Sequence, residues 1–176
     1  MWKALVLGAL LPQMVQAGPV RDLSVPLVAQ AAYDQGRLVG AWYEVAQTPT
    51  FLQRNCYGTT VLVAARDDSR LTVKIACHMG ALSGPVLPLE GVLVQTHPGL
   101  FQLRLFRLAE LGNLQLSLLW QAPDDSMAVL GAPLGEVGWI WSRSPHPDPA
   151  ALAQAKAVLV AAGYRAKAIR NVEQAP

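Results

Sequence analysis

The sequence predicts an all-β domain, an eight-stranded antiparallel up-and-down β-barrel with one α-helix packed outside. Three observations predict it. Eight runs of strand-like composition, 41–47, 57–65, 70–77, 86–96, 100–107, 114–121, 127–132 and 137–143, follow one another with turn-forming residues between them. Their connections alternate between short and long, as in a meander. A single alanine-rich helical segment follows the last run. Eight strands close a small barrel around an interior that side chains fill or that holds one ligand.

Before the barrel, Met1-Trp2-Lys3, an apolar run over 4–11 and a polar stretch ending Val15-Gln16-Ala17 have the layout of an export signal cut after Ala17. The run is too short to span a bilayer, which takes about 20 residues; a short buried helix is the alternative. Residues 18–33 read as an extended N-terminal arm, 34–171 as one domain and 172–176 as a tail. A short helical turn over 34–39 precedes Gly40. Asp67-Asp68-Ser69, Pro98-Gly99 and Pro123-Asp124-Asp125 make tight turns. The longer connections, 48–55, 78–85, 108–113 and 133–136, gather at the opposite end, which is the expected mouth. Asp148-Pro149 caps and starts a helix over 150–162, and Gly163 ends it. A short strand near 166–171 closes the pattern.

Fourteen basic and twelve acidic residues give a net charge of +2, and one of the basic residues, Lys3, lies in the leader. Such a balance provides no field for nucleic acid. Charged residues are few, 15%, and apolar ones many, 52%, more than a core alone demands. Two cysteines in an exported chain suggest a disulfide, with two free thiols as the alternative. Cys56 starts the second run and Cys77 ends the third, so antiparallel pairing brings them together at the mouth. Such a bond either stiffens the mouth or simply staples two strands.

Alternation sorts the inner face. Phe101, Leu103, Leu105 and Arg107 share one face of the fifth run, Leu114, Leu116, Leu118 and Trp120 one face of the sixth, and Trp139, Trp141 and Arg143 one face of the eighth. These either fill the centre or line a cavity. Arg107, at the mouth end of its run, and Arg54, beside Phe51 and Leu52 in the long first loop, are candidates for an anionic headgroup, or else solvated surface charges. Glu44 shares the parity of Trp42 and faces inward, where a carboxylate needs partners; a structural hydrogen-bond role is favoured over catalysis. His78, His97 and His146 are dispersed, so no metal site or cofactor is expected. Neither a nucleophile elbow nor a phosphate loop occurs.

Gly40-Ala41-Trp42-Tyr43-Glu44 and Trp139-Ile140-Trp141-Ser142-Arg143-Ser144-Pro145 together resemble the first and last signature segments of the lipocalins, most closely the bacterial outer-membrane and apolipoprotein-D-like branch. The resemblance covers roughly 34–170. It implies that Gly40 turns the chain into the first strand, that Trp42 plugs the barrel end and that Arg143 lies over its indole. It also implies a hollow interior, with Phe51-Leu52 as a mobile lid. The middle signature is degraded: 124–133 keeps its turn acids and final Gly-x-Pro but has Met127 where a tyrosine is usual. Many bacterial relatives carry a lipidated cysteine after the cut, whereas Gly18 stands here. The chain therefore reads as an exported, periplasmic, soluble member, with transient membrane contact or outer-membrane association still compatible.

The function implied is non-enzymatic binding or transport of a small hydrophobic ligand of the fatty acid or lysophospholipid class, tied to envelope lipid handling. Phe51, Leu103, Leu105, Arg107, Leu116, Leu118, Trp120, Trp139 and Trp141 are the expected ligand contacts. An enzyme on the same fold, such as an isomerase or epoxide-converting protein using Glu44, and a protein-recognition module with an occluded barrel are the alternatives.

Overall fold

The computed structural model describes residues 20–51, 53–106 and 113–176. The leader, Leu52, Arg107 and most of the 108–113 loop lie outside the described residues. A 3-10 turn at Gln35–Leu38 precedes β1 (Gly40–Gln47), β2 (Cys56–Ala65), β3 (Leu71–Met79), β4 (Val86–His97), β5 (Leu100–Leu105), β6 (Leu114–Gln121), β7 (Met127–Gly131) and β8 (Gly138–Ser142). Helix α1 (Pro149–Ala161) and a two-residue strand, β9 (Arg170–Asn171), complete the chain. Each of the eight predicted barrel strands is present with ends within two residues of those expected, whereas the short strand expected near 166–171 is a 3-10 turn at Ala166–Ala168 followed by β9.

Neighbouring strands pair antiparallel in sequence order, and β1 bonds to both β8 and β2, so the sheet closes. β1 divides its pairing along its length. Gly40 to Tyr43 pair with Val63 to Thr60, whereas Ala46 and Gln47 pair on that side with β9. The seam that opens between β1 and β2 is bridged by the C-terminal residues. Val172 N–H donates to Val45 O (3.0 Å), and Glu173 O accepts from Gly58 N–H (2.7 Å). The Gln174 side-chain amide donates to Glu44 O (2.7 Å) and Thr59 O (3.3 Å).

Two apolar cores result. One fills the barrel around Trp42, Leu93, Phe101, Leu118 and Trp141. The other lies outside it, beneath α1, around Ala155, Leu159, Ile140, Val129 and Tyr164. Asp148 Oδ1 accepts from the backbone N–H groups of Ala150 (2.9 Å) and Ala151 (3.1 Å), the predicted cap. The helix can sit close because Gly138 offers no Cβ, which would stand 3.0 Å from the Tyr164 ring. The Tyr164 hydroxyl donates to Val137 O (2.5 Å) and accepts from Ala132 N–H (2.9 Å), fastening the β7–β8 connection to the end of the helix.

Two inner-face assignments change. β6 carries a bulge between Leu118 and Trp120, where the register shifts from Leu118↔Leu130 to Trp120↔Val129. The extra residue inverts the alternation. Trp120 therefore packs in the outer core rather than lining the interior, and Gln121 turns inward. There Gln121 Oε1 accepts from the buried Tyr33 hydroxyl, and its amide donates to Asp125 (3.0 Å) and Arg37 O (3.2 Å).

Candidate ligand-binding cavity

The closed end is locked by Trp42 and Arg143. The guanidinium carbon lies 3.5 Å from the centroid of the indole. Arg143 donates to Ala41 O (2.9 Å), Val39 O (2.9 Å) and Arg37 O (3.2 Å), and Trp42 Nε1 donates to Leu38 O (2.7 Å). Gly40 makes room: its φ is +114°, and a Cβ there would meet Arg143 Nη1 at 2.8 Å. A glycine, an indole and a guanidinium thus require one another.

The closed half of the barrel is solid. Leu103, Leu116, Leu118 and Trp141, all expected ligand contacts, are at most 3% exposed and pack there against one another. The mouth half retains an interior cavity of about 110 Å³. Its walls include the expected Leu105 and Trp139 together with Leu114, Ile75, Thr59 and the Cys56–Cys77 bridge, and no charged side chain lines it among the described residues. The two cysteines are not directly opposite. Cys56 registers with Met79, so the bond runs diagonally, with its Cα atoms 5.3 Å apart.

The 48–55 loop covers the cavity from above. Trp139 Nε1 donates to Gln53 Oε1 (3.3 Å), Gln47 Nε2 to Gln53 O (3.3 Å), and Thr50 Oγ1 pairs with the Gln53 side chain (3.2 Å). Phe51 does not reach the cavity. It is 76% exposed, with the Arg54 guanidinium 4.3 Å from its ring. Glu44 is fully buried on the inner face, where desolvation pushes its pKa up to about 8; the Trp141 indole N–H, close to the carboxyl but outside hydrogen-bond geometry, opposes this in smaller measure. Glu44 Oε1 has no hydrogen-bond partner among the described residues.

Thr59, Ile75 and Gln53 are absent from the sequence-derived ligand contacts. Alternation in β2 and β3 carries the signal for the first two, since Thr59, Val61 and Val63 share a face, as do Val73, Ile75 and Cys77. Nothing local marks Gln53, whose role depends on where the loop folds. A larger groove of about 650 Å³ runs along the outside of β1 to β4, between outward residues such as Tyr43, Leu62, Lys74 and Glu90 and the half-exposed Phe106. It opens sideways to solvent, so a ligand there would keep much of its surface wet, unlike one in the barrel.

Comparisons with known proteins agree with this geometry. No curated protein matches the chain. Solved structures do, at low identity. Per a 4, a major allergen from cockroaches, superimposes with a TM-score of 0.66 at 16% identity, covering 88% of this chain and 97% of that one. Lobster apocrustacyanin A1 gives 0.63 at 16%, covering 81% of each chain, and apocrustacyanin C2 gives 0.65 at 16%, covering 90% and 89%. At such identities the likeness concerns the fold. Residues 33–174 match the family model of the lipocalin-like domain, and the chain belongs to that family.

Proposed function

We propose that the protein is a non-enzymatic carrier that takes a small hydrophobic ligand, of the fatty acid or lysophospholipid class, into the mouth half of its barrel. The observation that carries this reading is the apolar cavity lined in part by Thr50 and Gln53 of the 48–55 loop. Burial of apolar ligand surface there contributes roughly 25 cal/mol per Å². At about 110 Å³ the cavity is smaller than the roughly 300–1,000 Å³ of ordinary ligand pockets. An acyl chain therefore enters only as the loop swings out and the Gln53 contacts break. Arg54 and Arg107 are the proposed partners of an acidic headgroup.

Exposed Phe51, Val86, Phe106 and Leu134 come from four different places around the mouth. They support transient contact with a lipid surface during loading. The disulfide favours an oxidising compartment, and no helix among the described residues is long and apolar enough to cross a membrane. The disulfide and the sequence-derived leader together support export; a periplasm, kinship with the bacterial branch and a part in envelope lipid handling belong to the same proposal. The site residues of this reading are Leu105, Trp139 and the loop, with Leu103, Leu116, Leu118 and Trp141 as the floor.

Protein purified without detergent, examined by native mass spectrometry and then titrated with a long-chain fatty acid, tests the reading. Copurified lipid or saturable quenching of tryptophan fluorescence is expected. An empty protein whose fluorescence does not respond to acid, alcohol or lysophospholipid would overturn it.

A further inference from the structure

Three buried polar side chains occupy neighbouring positions on the inner wall, and one of them, Thr59, lines the cavity. Glu44 and Trp141 are register partners on β1 and β8. On the other flank of β1, the pairing that ends at Tyr43↔Thr60 would next set Glu44 against Thr59 of β2. The Gln174 amide, bonded to the backbone carbonyls of both Glu44 and Thr59, fixes that proximity. Glu44, Thr59 and Trp141 are 2%, 1% and 2% exposed. Glu44 Oε1, Thr59 Oγ1 and Trp141 Nε1 all lack a hydrogen-bond partner. A buried polar atom without a partner costs on the order of 1–3 kcal/mol, and three side by side mark a place where something else supplies the bonds. Thr59 itself lines the cavity, and Trp141 stacks on Trp139, which also lines it, with ring centroids 6.2 Å apart.

We propose that Glu44, Thr59 and Trp141 form a polar subsite that receives the hydroxyl group of an otherwise apolar ligand. The proposal rests on the carrier reading and narrows its ligand class. The chemistry selects among polar groups. The indole offers only a donor, whereas the threonine hydroxyl and the protonated Glu44 carboxyl each offer a donor and an acceptor. A carboxylate placed here would be a buried anion with no charged side chain among the described residues lining the cavity to balance it. An ammonium would be a buried cation beside a largely neutral carboxyl and would present N–H groups to the indole N–H. A hydroxyl accepts from Trp141 and donates to Glu44 with no net charge, which suits a carboxyl that burial keeps largely neutral near pH 7.

The test uses small probes matched to the cavity: toluene, benzyl alcohol and benzylamine, titrated into ¹⁵N-labelled protein and followed by the indole N–H resonance of Trp141. In an apolar cavity the alcohol should lose to the hydrocarbon, because its hydroxyl is stranded. In this protein benzyl alcohol should bind no more weakly than toluene, surpass benzylamine and shift the Trp141 resonance. The substitution Glu44→Leu should leave toluene binding intact and weaken benzyl alcohol by at least about 10-fold. Trp141→Phe serves as a second variant if the first does not fold, with the same direction expected. If toluene is preferred equally in the wild type and the variants, the corner holds water only and the subsite is refuted, while the carrier reading stands. If no probe binds, the subsite is refuted, and the carrier reading stands or falls on its own fatty acid titration.

Discussion

The two ends of the barrel are built on opposite principles. At the closed end nearly every polar group is spoken for. Arg143 serves three backbone carbonyls within 3.2 Å, Trp42 Nε1 has Leu38 O, and Tyr33, Gln121, Asp125 and Arg37 form one connected network. From Trp141, where the two halves join, toward the mouth, buried side-chain atoms of Trp141, Glu44, Thr59, Gln47 and Thr48 have no partner, against the single example of Gln35 Oε1 beyond the closed end. The mouth also holds the cavity and the bare apolar tips of Phe51 and Leu134. A fully satisfied network rigidifies, and a partly satisfied one is held in place by its surroundings. Stability is thus concentrated where no ligand goes, and the end that must open has fewer bonds to break.

The comparison breaks first at Arg143. Replacing it with alanine removes three charge-assisted hydrogen bonds and the indole contact, for an expected loss of about 3–5 kcal/mol in urea unfolding. Ligand affinity per folded molecule should stay within a factor of about two, because the substitution lies beyond the solid half of the barrel. A loss below about 1 kcal/mol, or a collapse of affinity in protein still folded, would show that the ends are not separable in this way.

This closed end was also the most legible part of the sequence. Gly40, Trp42 and Arg143 act through a fixed strand register, so their spacing along the chain carries the geometry. The helix cap at Asp148-Pro149 and all eight strands are equally local in origin. Trp120 escaped because a bulge adds one residue after Leu118, and no composition signal within Leu-Leu-Trp-Gln marks where an alternation slips. Tyr33 and Gln121 escaped for a related reason: each is polar and buried only because the other is there. At the mouth, the filling of the inner leucines and the fold of the 48–55 loop set the cavity volume, and both are tertiary outcomes. Phe51 shows the limit, since the tip of a covering loop and its underside look alike in one dimension.

A smaller effect sharpens the contrast through pH. Burial holds the Glu44 carboxyl protonated up to about 8, against an unperturbed value of 4.5. Between those values the folded state keeps a proton that the unfolded state has released. Stability from this group is therefore full below about 4.5 and declines as pH rises toward 8. Glu44→Gln removes the dependence. The stability of the wild type relative to this variant should fall by about 3–4 kcal/mol between pH 5 and 8. A flat difference across that range would mean that the carboxyl reaches solvent or a partner, and the mouth half would then be better satisfied than its contacts indicate.

The smallest expected effect joins the two halves of the argument. Gln174 is 8% exposed and donates to Glu44 O and Thr59 O across the seam where β1 and β2 part. Gln174→Ala should cost about 1 kcal/mol, the ordinary net worth of such bonds. Its larger consequence is local. With the amide gone, water can reach the seam, so amide exchange at Gly58 and Thr59 should quicken while the strands around Trp42 stay protected. Solvent beside Glu44 would also relieve its desolvation and lower its pKa, so the pH slope assigned to that carboxyl should shrink in the same variant. Faster exchange with an unchanged slope would separate the seam from the carboxyl, and would place the polar corner under the control of the barrel wall rather than of the C-terminal strap.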